Sequence, residues 1–238
     1  MSSSDPLATP VAILAGGLAL RMRPLTDGQP KALIEIAGRP FVEHQLELLR
    51  KSGLSRVVLL VGYRADAIEA RLGDGTALGM QIRYSQDGER LLGTAGALRR
   101  AAPLLGERFF VLYGDSYLDV DYREILDAAL ASAAPALMTV YRNEGRHETS
   151  NVLFENGRLL AYDKRAPRPE MHHVDFGLGV LHASVLARVP EAEPSDLADL
   201  YAALAAEGLL AGHEVRRRFY EIGSPDGLAE TRALLERR

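Results

Sequence analysis

Short runs of apolar, often β-branched residues alternate along the chain with longer segments whose apolar residues recur at helical spacing. Such runs are VAILA at 11–15, RVVLLVGY at 56–63, RFFVLYGD at 108–115 and PALMTVY at 135–141. Strands that are apolar throughout are buried on both faces, which is typical of parallel sheets covered by helices. The alternation therefore predicts an α/β fold with a doubly wound, mostly parallel sheet.

The segments between these runs carry helix signals. The stretch 39–53 begins with Pro40, places Val42, Leu46 and Leu49 on one face and stops at Gly53, as a helix does. Similar patterns predict helices at 64–72, 94–105, 123–133 and 227–238.

The pattern changes from about residue 151. NVLFENGRLLAYDK predicts a hairpin with Asn156–Gly157 at its turn, and HVDFGLGVLHASVL predicts a strand that runs into a helix. We therefore expect a flexible N-terminus at 1–10 and a single domain at 11–238. Within that domain, a doubly wound half at 11–140 precedes a small α+β extension at 141–238, which can close over a ligand.

Composition excludes several classes of protein. The 238 residues include 28 Lys+Arg and 32 Asp+Glu, a net charge of −4, which argues against a nucleic-acid-coating surface but allows a local basic pocket. The sequence contains no cysteine, so disulfides, a thiolate nucleophile and Cys-ligated zinc are excluded. No basic n-region and no long apolar run occurs, so we expect a cytoplasmic protein without a membrane partner.

The segment ILAGGLALRMRPLTDGQPKAL at 13–33 joins an apolar strand to a loop with two glycines and several cations. In an open parallel sheet, ligands bind beyond the carboxyl ends of the strands. Glycine lets the backbone approach a phosphate, and Arg21 and Lys31 supply positive charge. Two glycines alone also fit an ordinary turn. Neither G-x-x-x-x-G-K-[ST] nor a G-x-G-x-x-G after a strand occurs, so another phosphate chemistry is needed.

The loop matches, in order and spacing, a family opening motif that reads G-G-x-G-T-R-L-x-P-L-T and then P-K-P or P-K-A. The likeness continues through LLGTAGAL at 91–98, YGDSYLD at 113–119, AYDKR at 161–165, VDFGLGVL at 174–181 and FYEIGSPDGL at 219–228. The chain thus resembles the sugar-1-phosphate nucleotidyltransferases, most of all the short bacterial mannose- or heptose-1-phosphate guanylyltransferases. The resemblance implies a Rossmann-like fold and nucleotidyl transfer from an NTP to a sugar 1-phosphate.

The resemblance also implies roles for residues of the N-terminal half, which becomes the nucleotide-binding half. Arg21 grips the leaving pyrophosphate, and Lys31 neutralises charge near the α-phosphate. Asp87 is the candidate for base discrimination, although Asp87–Gly88 equally fits a simple turn. Backbone and loop contacts to the nucleotide are expected from Leu14, Ala15, Gly16, Gly17, Gly93 and Thr94.

Magnesium and the sugar phosphate have their own candidate residues. Asp115 ends an apolar strand, where a carboxylate can bind Mg²⁺ or simply cap a turn. The second metal ligand implied is Glu221, which stands where the family has aspartate. Lys164 matches a lysine that binds the sugar phosphate. Asp175, where many relatives have asparagine, and Gly177 are expected to contact the sugar in the 141–238 half.

The substrates follow from the resemblance only in part. We expect GTP and a manno-configured or heptose 1-phosphate, although no residue selects guanine by a physical argument. Uridylyl or thymidylyl transfer, an alcohol phosphate as acceptor, and a non-catalytic homologue that binds a nucleotide-sugar stay open, as does a homodimer. Ala19 and Leu20 depart from the family loop, which puts triphosphate affinity in question.

Overall fold

The structure is a computed structural model that describes residues 9–17, 28–143, 145–146 and 149–237. Arg21, Ala19 and Leu20 lie outside the described residues. The fold is mixed α/β with a mostly parallel central sheet, which confirms the predicted fold class.

The strands and helices are numbered in chain order. The strands are β1 (Val11–Leu14), β2 (Glu35–Ile36), β3 (Arg39–Pro40), β4 (Arg56–Val61), β5 (Gln81–Gln86), β6 (Arg108–Tyr113), β7 (Ser116–Tyr117), β8 (Ala136–Arg142), β9 (Val152–Glu155), β10 (Arg158–Tyr162), β11 (His173–His182), β12 (Leu210–Val215) and β13 (Tyr220–Glu221). The α-helices are α1 (Phe41–Lys51), α2 (Ala65–Leu72), α3 (Gly93–Leu105), α4 (Tyr122–Ala131), α5 (Leu197–Ala206) and α6 (Pro225–Leu235). Short 3-10 helices cover Lys31–Leu33, Thr76–Leu78 and Ala183–Arg188.

The first strand lies at the centre of the parallel part of the sheet. β1 pairs in parallel with β4 on one side and β6 on the other, and β5 adds to β4. In this register Leu14 lies opposite Leu60 and Tyr113. The carboxyl ends of β1, β4 and β6 therefore lie at the same level. The loops that follow these strands meet at one edge of the sheet.

The C-terminal half continues the same sheet. β11 runs antiparallel between β6 and β8, the β9–β10 hairpin lies beyond β11, and β12 pairs in parallel with β8. Among the described residues, strands β8 to β12 join the parallel strands β1, β4, β5 and β6 in one nine-stranded sheet. The pairing of β11 with β8 shifts register between Asp175 and Gly179, so a bulge lies close to the edge where the loops meet.

Helices cover both faces of the sheet, as a doubly wound fold requires. One apolar core packs α1, α2 and α4 against one face, and a second packs α3 and α5 against the other. A smaller cluster joins the start of α1 to β7, α6 and the residues between β13 and α6. That cluster fixes the C-terminal segment against the edge that follows β6.

Most predicted elements are present with shifted ends. The predicted hairpin is confirmed, with Asn156 at φ 50° and Gly157 at φ 75°, the positive angles that a tight hairpin turn needs. Patterning missed α5, β12 and the two short strand pairs β2–β3 and β7–β13. Among the described residues, no helix has the length and apolar character to cross a membrane.

Candidate active site

A cavity of about 250 Å³ opens at the carboxyl ends of the parallel strands. Its wall combines the loop after β1, the end of β5, the start of α3 and the loop after β6. Predicted site residues on this wall are Leu14, Ala15, Gly16, Gly17, Lys31, Asp87, Gly93, Thr94 and Asp115. The fold thus brings those predicted phosphate, base and metal residues of the first half that the structure describes into one place.

Close backbone approach joins the loops after β1 and β6. The Gly114 N–H donates to the Leu14 carbonyl over 3.1 Å. A Cβ atom at Gly114 would lie 2.5 Å from that carbonyl oxygen, closer than real Cβ contacts come. Glycine is therefore required at 114 for Asp115 to sit beside the end of β1.

Lys31 and Asp115 form an ion pair at the mouth of the cavity. The Lys31 Nζ lies 2.9 Å from the Asp115 Oδ2, and the two side chains are 18% and 31% exposed. Lys31 is the first residue of the short 3-10 helix that follows Pro30. A pair this accessible to water contributes little to stability. Its charges remain available to a ligand.

Tertiary pairing brings Glu221 to the same place. β13 runs antiparallel to β7 with Glu221 opposite Ser116, and the Ile222 N–H donates to the Asp115 carbonyl over 2.9 Å. The Glu221 carboxylate accepts from the Gly223 N–H and from the Ser224 Oγ, the latter at 2.5 Å. Ser224 caps the N-terminus of α6, so the longer glutamate side chain is held against the positive end of that helix.

The space above Gly223 suits a divalent cation. A Cβ atom at Gly223 would lie 2.7 Å from the Glu221 Oε2, 3.1 Å from the Asp115 Oδ2 and 3.6 Å from the Lys31 Nζ. Two carboxylates thus border a volume that any larger residue would fill. Within the described part of the chain, no three acidic, histidine or cysteine side chains could hold a metal together. The donor set therefore fits Mg²⁺ bound jointly with phosphate oxygens and water.

Asp87 lies buried on the cavity wall. Its Oδ2 accepts from the Leu92 N–H over 3.1 Å, which closes the loop between β5 and α3. Burial raises the pKa of the Asp87 carboxyl, while the Leu92 N–H and the Arg100 guanidinium act in the opposite direction. Asp87 can thus both form a turn and contact a ligand, because its carboxylate holds the loop and borders the cavity.

Thr94 is held by a segment that sequence reasoning did not identify. Its hydroxyl donates to the Asp196 Oδ1 over 2.9 Å and accepts from the Leu197 N–H over 2.7 Å. A Cβ atom at Gly93 would lie 2.6 Å from the Ser195 carbonyl oxygen. The start of α3 is therefore braced by the residues that cap α5, and the Thr94 hydroxyl is committed to protein partners.

The predicted sugar residues lie beside the cavity and do not line it. Tyr113, which does line it, lies near Asp175, and its hydroxyl acts to lower the pKa of that carboxyl. Gly177 has φ 91°, and a Cβ atom there would lie 3.1 Å from the Ser116 Oγ. The β11 bulge thus rests directly on the Tyr113–Ser116 loop, with the Asp175 Oδ1 accepting from the Gly177 N–H over 2.9 Å.

Asp175 and Lys164 are electrostatically linked. Burial raises the pKa of Asp175 to about 6, although the Gly177 N–H, the Lys164 ammonium and the Tyr113 hydroxyl all favour the charged form. Lys164 is exposed on the turn after β10. Asp163 holds that turn by accepting from the Arg165 and Ala166 N–H groups over 2.9 and 2.8 Å. An aspartate shortly before a proline, as in DKRAP at 163–167, is a turn signal that could have identified Asp163.

Gln45 on α1 is a further site-supporting residue that the sequence reading missed. Its Nε2 donates to the carbonyls of Tyr113 and Ser116, on either side of Asp115. The signal was visible, because Gln45 is a polar residue on the apolar face that Val42, Leu46 and Leu49 define.

Two curated proteins are similar to this chain over most of its length. The mannose-1-phosphate guanylyltransferase of Mycobacterium tuberculosis is 30% identical over 230 residues, covering 94% of this chain and 64% of that protein. The mannose-1-phosphate guanylyltransferase catalytic subunit beta of Xenopus tropicalis is 31% identical over 219 residues, covering 90% of this chain and 61% of that protein. The chain thus spans about three fifths of the length of these curated relatives.

Solved structures show the same fold at lower identity. HddC from Yersinia pseudotuberculosis has a TM-score of 0.80 at 21% identity, covering 95% of this chain and 99% of that one, and it has also been solved with GMP-PN. The sequence profile of the nucleotidyl transferase family matches residues 11–152. That match includes β1 to β8 and the loops that carry Lys31, Asp87 and Asp115. The chain belongs to the nucleotidyl transferase family.

Proposed function

We propose that this protein transfers a guanylyl group from GTP to mannose 1-phosphate or a related heptose 1-phosphate, giving a GDP-sugar and pyrophosphate. The observation that carries the proposal is the convergence of Lys31, Asp115 and Glu221 around Gly223, with Lys31 and Asp115 on the wall of a cavity that the predicted nucleotide loops line. The guanylyltransferase names of the curated relatives support the choice of base and sugar.

The reaction brings two anions together. An oxygen of the sugar phosphate attacks the α-phosphorus of GTP, a new P–O bond forms, and the bond to the β-phosphate breaks to release pyrophosphate. Catalysis then depends on positioning and on cations rather than on covalent side-chain chemistry. Lys31 exchanges its contact with Asp115 for one with the α-phosphate, where its charge offsets the charge that develops there.

Asp115 and Glu221 are the residues that hold Mg²⁺ in this proposal. When bound, the ion supplies charge neutralisation to the phosphates of the nucleotide. Arg21, which lies outside the described residues, is proposed to bind the leaving pyrophosphate. Because GTP and sugar phosphates are cytoplasmic metabolites, we propose a cytoplasmic setting.

Asp87 is proposed as the residue that recognises guanine. Guanine presents a ring N–H and an amino group on one edge, and a carboxylate can accept hydrogen bonds from both. Asp87 is buried on the cavity wall, so such a contact would be shielded from water and correspondingly strong. The other common bases do not present two donors in this arrangement.

Pyrophosphate release tests the proposal. We would assay Mg²⁺-dependent release with ATP, GTP, CTP, UTP and dTTP against the 1-phosphates of mannose, glucose, heptose and N-acetylmuramate. The expected result is one dominant combination, GTP with a manno- or heptose 1-phosphate, and its loss in Asp115→Ala. Asp66→Ala, at a carboxylate 79% exposed on the first turn of α2, is the matched control and keeps full activity.

Other outcomes would contradict the proposal in different ways. A dominant combination with UTP or dTTP would overturn the guanylyl assignment and keep the reaction class. No turnover, together with calorimetric binding of a nucleotide-sugar, would favour a non-catalytic regulatory homologue. Asp115→Ala with full activity would remove Asp115 from the site.

A further inference from the structure

Gln45 is a polar side chain placed in an apolar interface. It is 2% exposed and lies on the face of α1 that packs against the sheet beside Val42, Leu46 and Leu49. A buried carboxamide must satisfy its hydrogen bonds or lose stability. The partners of Gln45 therefore indicate what the residue does.

Both partners belong to the loop that carries Asp115. The Gln45 Nε2 donates to the Tyr113 carbonyl over 3.1 Å and to the Ser116 carbonyl over 2.7 Å. These carbonyls are the last of β6 and the first of β7, so they bracket Gly114 and Asp115. One side chain thus ties together the two ends of the metal loop.

The other end of the carboxamide is left without a partner. The Gln45 Oε1 is buried and accepts no hydrogen bond from any residue that the structure describes. A methionine of similar size would avoid this unfavourable burial. The two bonds to the loop are therefore the interactions that Gln45 makes and a methionine could not.

The backbone of the loop is held from two further sides. The Gly114 N–H is bound to the Leu14 carbonyl of β1, and the Asp115 carbonyl is bound to the Ile222 N–H beside Glu221. Gln45 completes a clamp in which β1, α1 and the segment after β13 each fix one part of the loop.

We propose that Gln45 is a positioning residue that sets the affinity of the Asp115–Glu221 pair for its divalent cation. The inference rests on the proposed function. Metal ligands must be held within about 0.5 Å of their binding geometry, and loss of the groups that orient them commonly weakens metal affinity about 10- to 100-fold. Without Gln45, two buried carbonyls lose their donor and the loop relaxes.

The test variant is Gln45→Met, which keeps the side-chain volume and removes the donor. We would measure the dissociation constant of GTP by calorimetry in excess Mg²⁺ and again in EDTA, and the Mg²⁺ concentration that gives half-maximal turnover. We expect the GTP dissociation constant of the variant in EDTA to equal that of the wild type. In excess Mg²⁺, the variant should lose the increase in GTP affinity that the metal gives the wild type. The Mg²⁺ concentration for half-maximal turnover should be about 10- to 100-fold higher.

Tyr122→Phe is the matched control. It also removes one buried hydrogen bond to a backbone carbonyl, from the Tyr122 hydroxyl to Leu118 at 3.0 Å, without touching the carbonyls beside Asp115. We expect a wild-type response to Mg²⁺. Gln45→Met with a wild-type Mg²⁺ response would overturn the proposal, as would equal weakening of GTP binding with and without the metal, which indicates general destabilisation. Absence of any Mg²⁺ effect in the wild type would instead contradict the proposed function.

A measurement on the wild-type protein covers the case in which Gln45→Met does not fold. The chain has only four glutamines, so ¹⁵N-glutamine labelling gives a simple NMR spectrum of side-chain carboxamides. We expect the Gln45 carboxamide to exchange slowly and to shift when Mg²⁺ is added to the GTP complex, while the exposed Gln81 does neither. A Gln45 signal that exchanges as fast as Gln81, or that ignores Mg²⁺, would overturn the proposal.

Discussion

The proposed phosphate side and the proposed sugar side of the site are built in different ways. Asp115 lies between β6 and β7 and Glu221 ends β13, and the backbone around them is bonded to β1, to α1 and to each other's segments. Lys164 lies exposed on a surface turn, and Asp175 occupies a bulge of β11. The carboxylates proposed for the metal are thus held by several backbone hydrogen bonds, whereas the cation proposed for the acceptor, Lys164, lies on an exposed turn.

This contrast has a functional meaning. Changes on the phosphate side should abolish turnover with every substrate, because the reacting phosphates are common to all of them. Changes on the sugar side should alter the acceptor KM and leave nucleotide binding intact. The predictions below test this division, beginning with the largest effect.

Lys31→Ala should cause the largest loss. Removing the cation proposed to face the α-phosphate is expected to lower kcat about 10²- to 10³-fold, because such a charge acts mainly in the transition state. The Lys31–Asp115 pair is partly exposed, so the melting temperature should hardly change. Steady-state kinetics and calorimetric melting measure both. Lys51→Ala, which breaks a similar exposed pair with Glu47 at 2.7 Å, is the control, and an equal loss there would contradict the site assignment.

Lys164→Ala should act on the acceptor. We expect the KM for the sugar 1-phosphate to rise about 10- to 100-fold, the size of one charge-assisted hydrogen bond, with the KM for GTP unchanged. Arg165→Ala, at the neighbouring cation that pairs with Asp199 at 2.7 Å, should leave both constants near wild type. A parallel rise in the KM for GTP in Lys164→Ala would break the division between the two sides.

Asp87→Asn should change base selection. If Asp87 accepts from the guanine amino group, the wild type prefers GTP to ITP, which lacks that group. The variant should lose about 10-fold of this preference, because an amide accepts less strongly than a carboxylate. The ratio of kcat/KM values for the two nucleotides measures it. An unchanged ratio would show that another group recognises guanine.

Asp175→Asn should have the smallest effect, on stability. The folded-state pKa of about 6 lies above the ordinary 3.8, so the folded protein binds more protons than the unfolded chain between about pH 4 and 6. The wild type therefore loses stability as pH rises through this window. The free energy of unfolding of the variant, relative to that of the wild type, should therefore increase by on the order of 1 kcal/mol between pH 4 and pH 7.5. Urea unfolding at both pH values measures this, and a pH-independent difference would contradict it.

Sequence patterning predicted those elements of the fold that depend on a few neighbouring residues. The buried strands β1, β4, β6 and β8 each lie in a largely apolar run, and the Asn156–Gly157 turn follows from the positive φ angles those two residues accept. Short pairs such as β7–β13 were missed, because two residues are too few to show a period of two. α5 and β12 were missed as well, although α5 has a clear Asp196 cap.

The candidate site likewise has residues that the sequence predicted and contacts that it did not. Lys31, Asp87 and Asp115 could be singled out because each stands at a break after a strand or in a motif, and parallel pairing then places such breaks at one edge. The clamp around Asp115 could not be foreseen. Gln45, Leu14 and Ile222 are far apart in the sequence, and only the packing of α1 and the β7–β13 pairing bring them to one loop.

The sequence by itself determined the strands, the helices and the chemical types present at the sheet edge, because hydrophobic periodicity and turn residues act over a few neighbouring positions. Only the tertiary structure decided that Glu221 lies beside Asp115, that the Thr94 hydroxyl is used by α5, and that the Asp175 bulge rests on the loop that carries Asp115. These contacts depend on distances between segments about 60 to 105 residues apart, which no local pattern encodes.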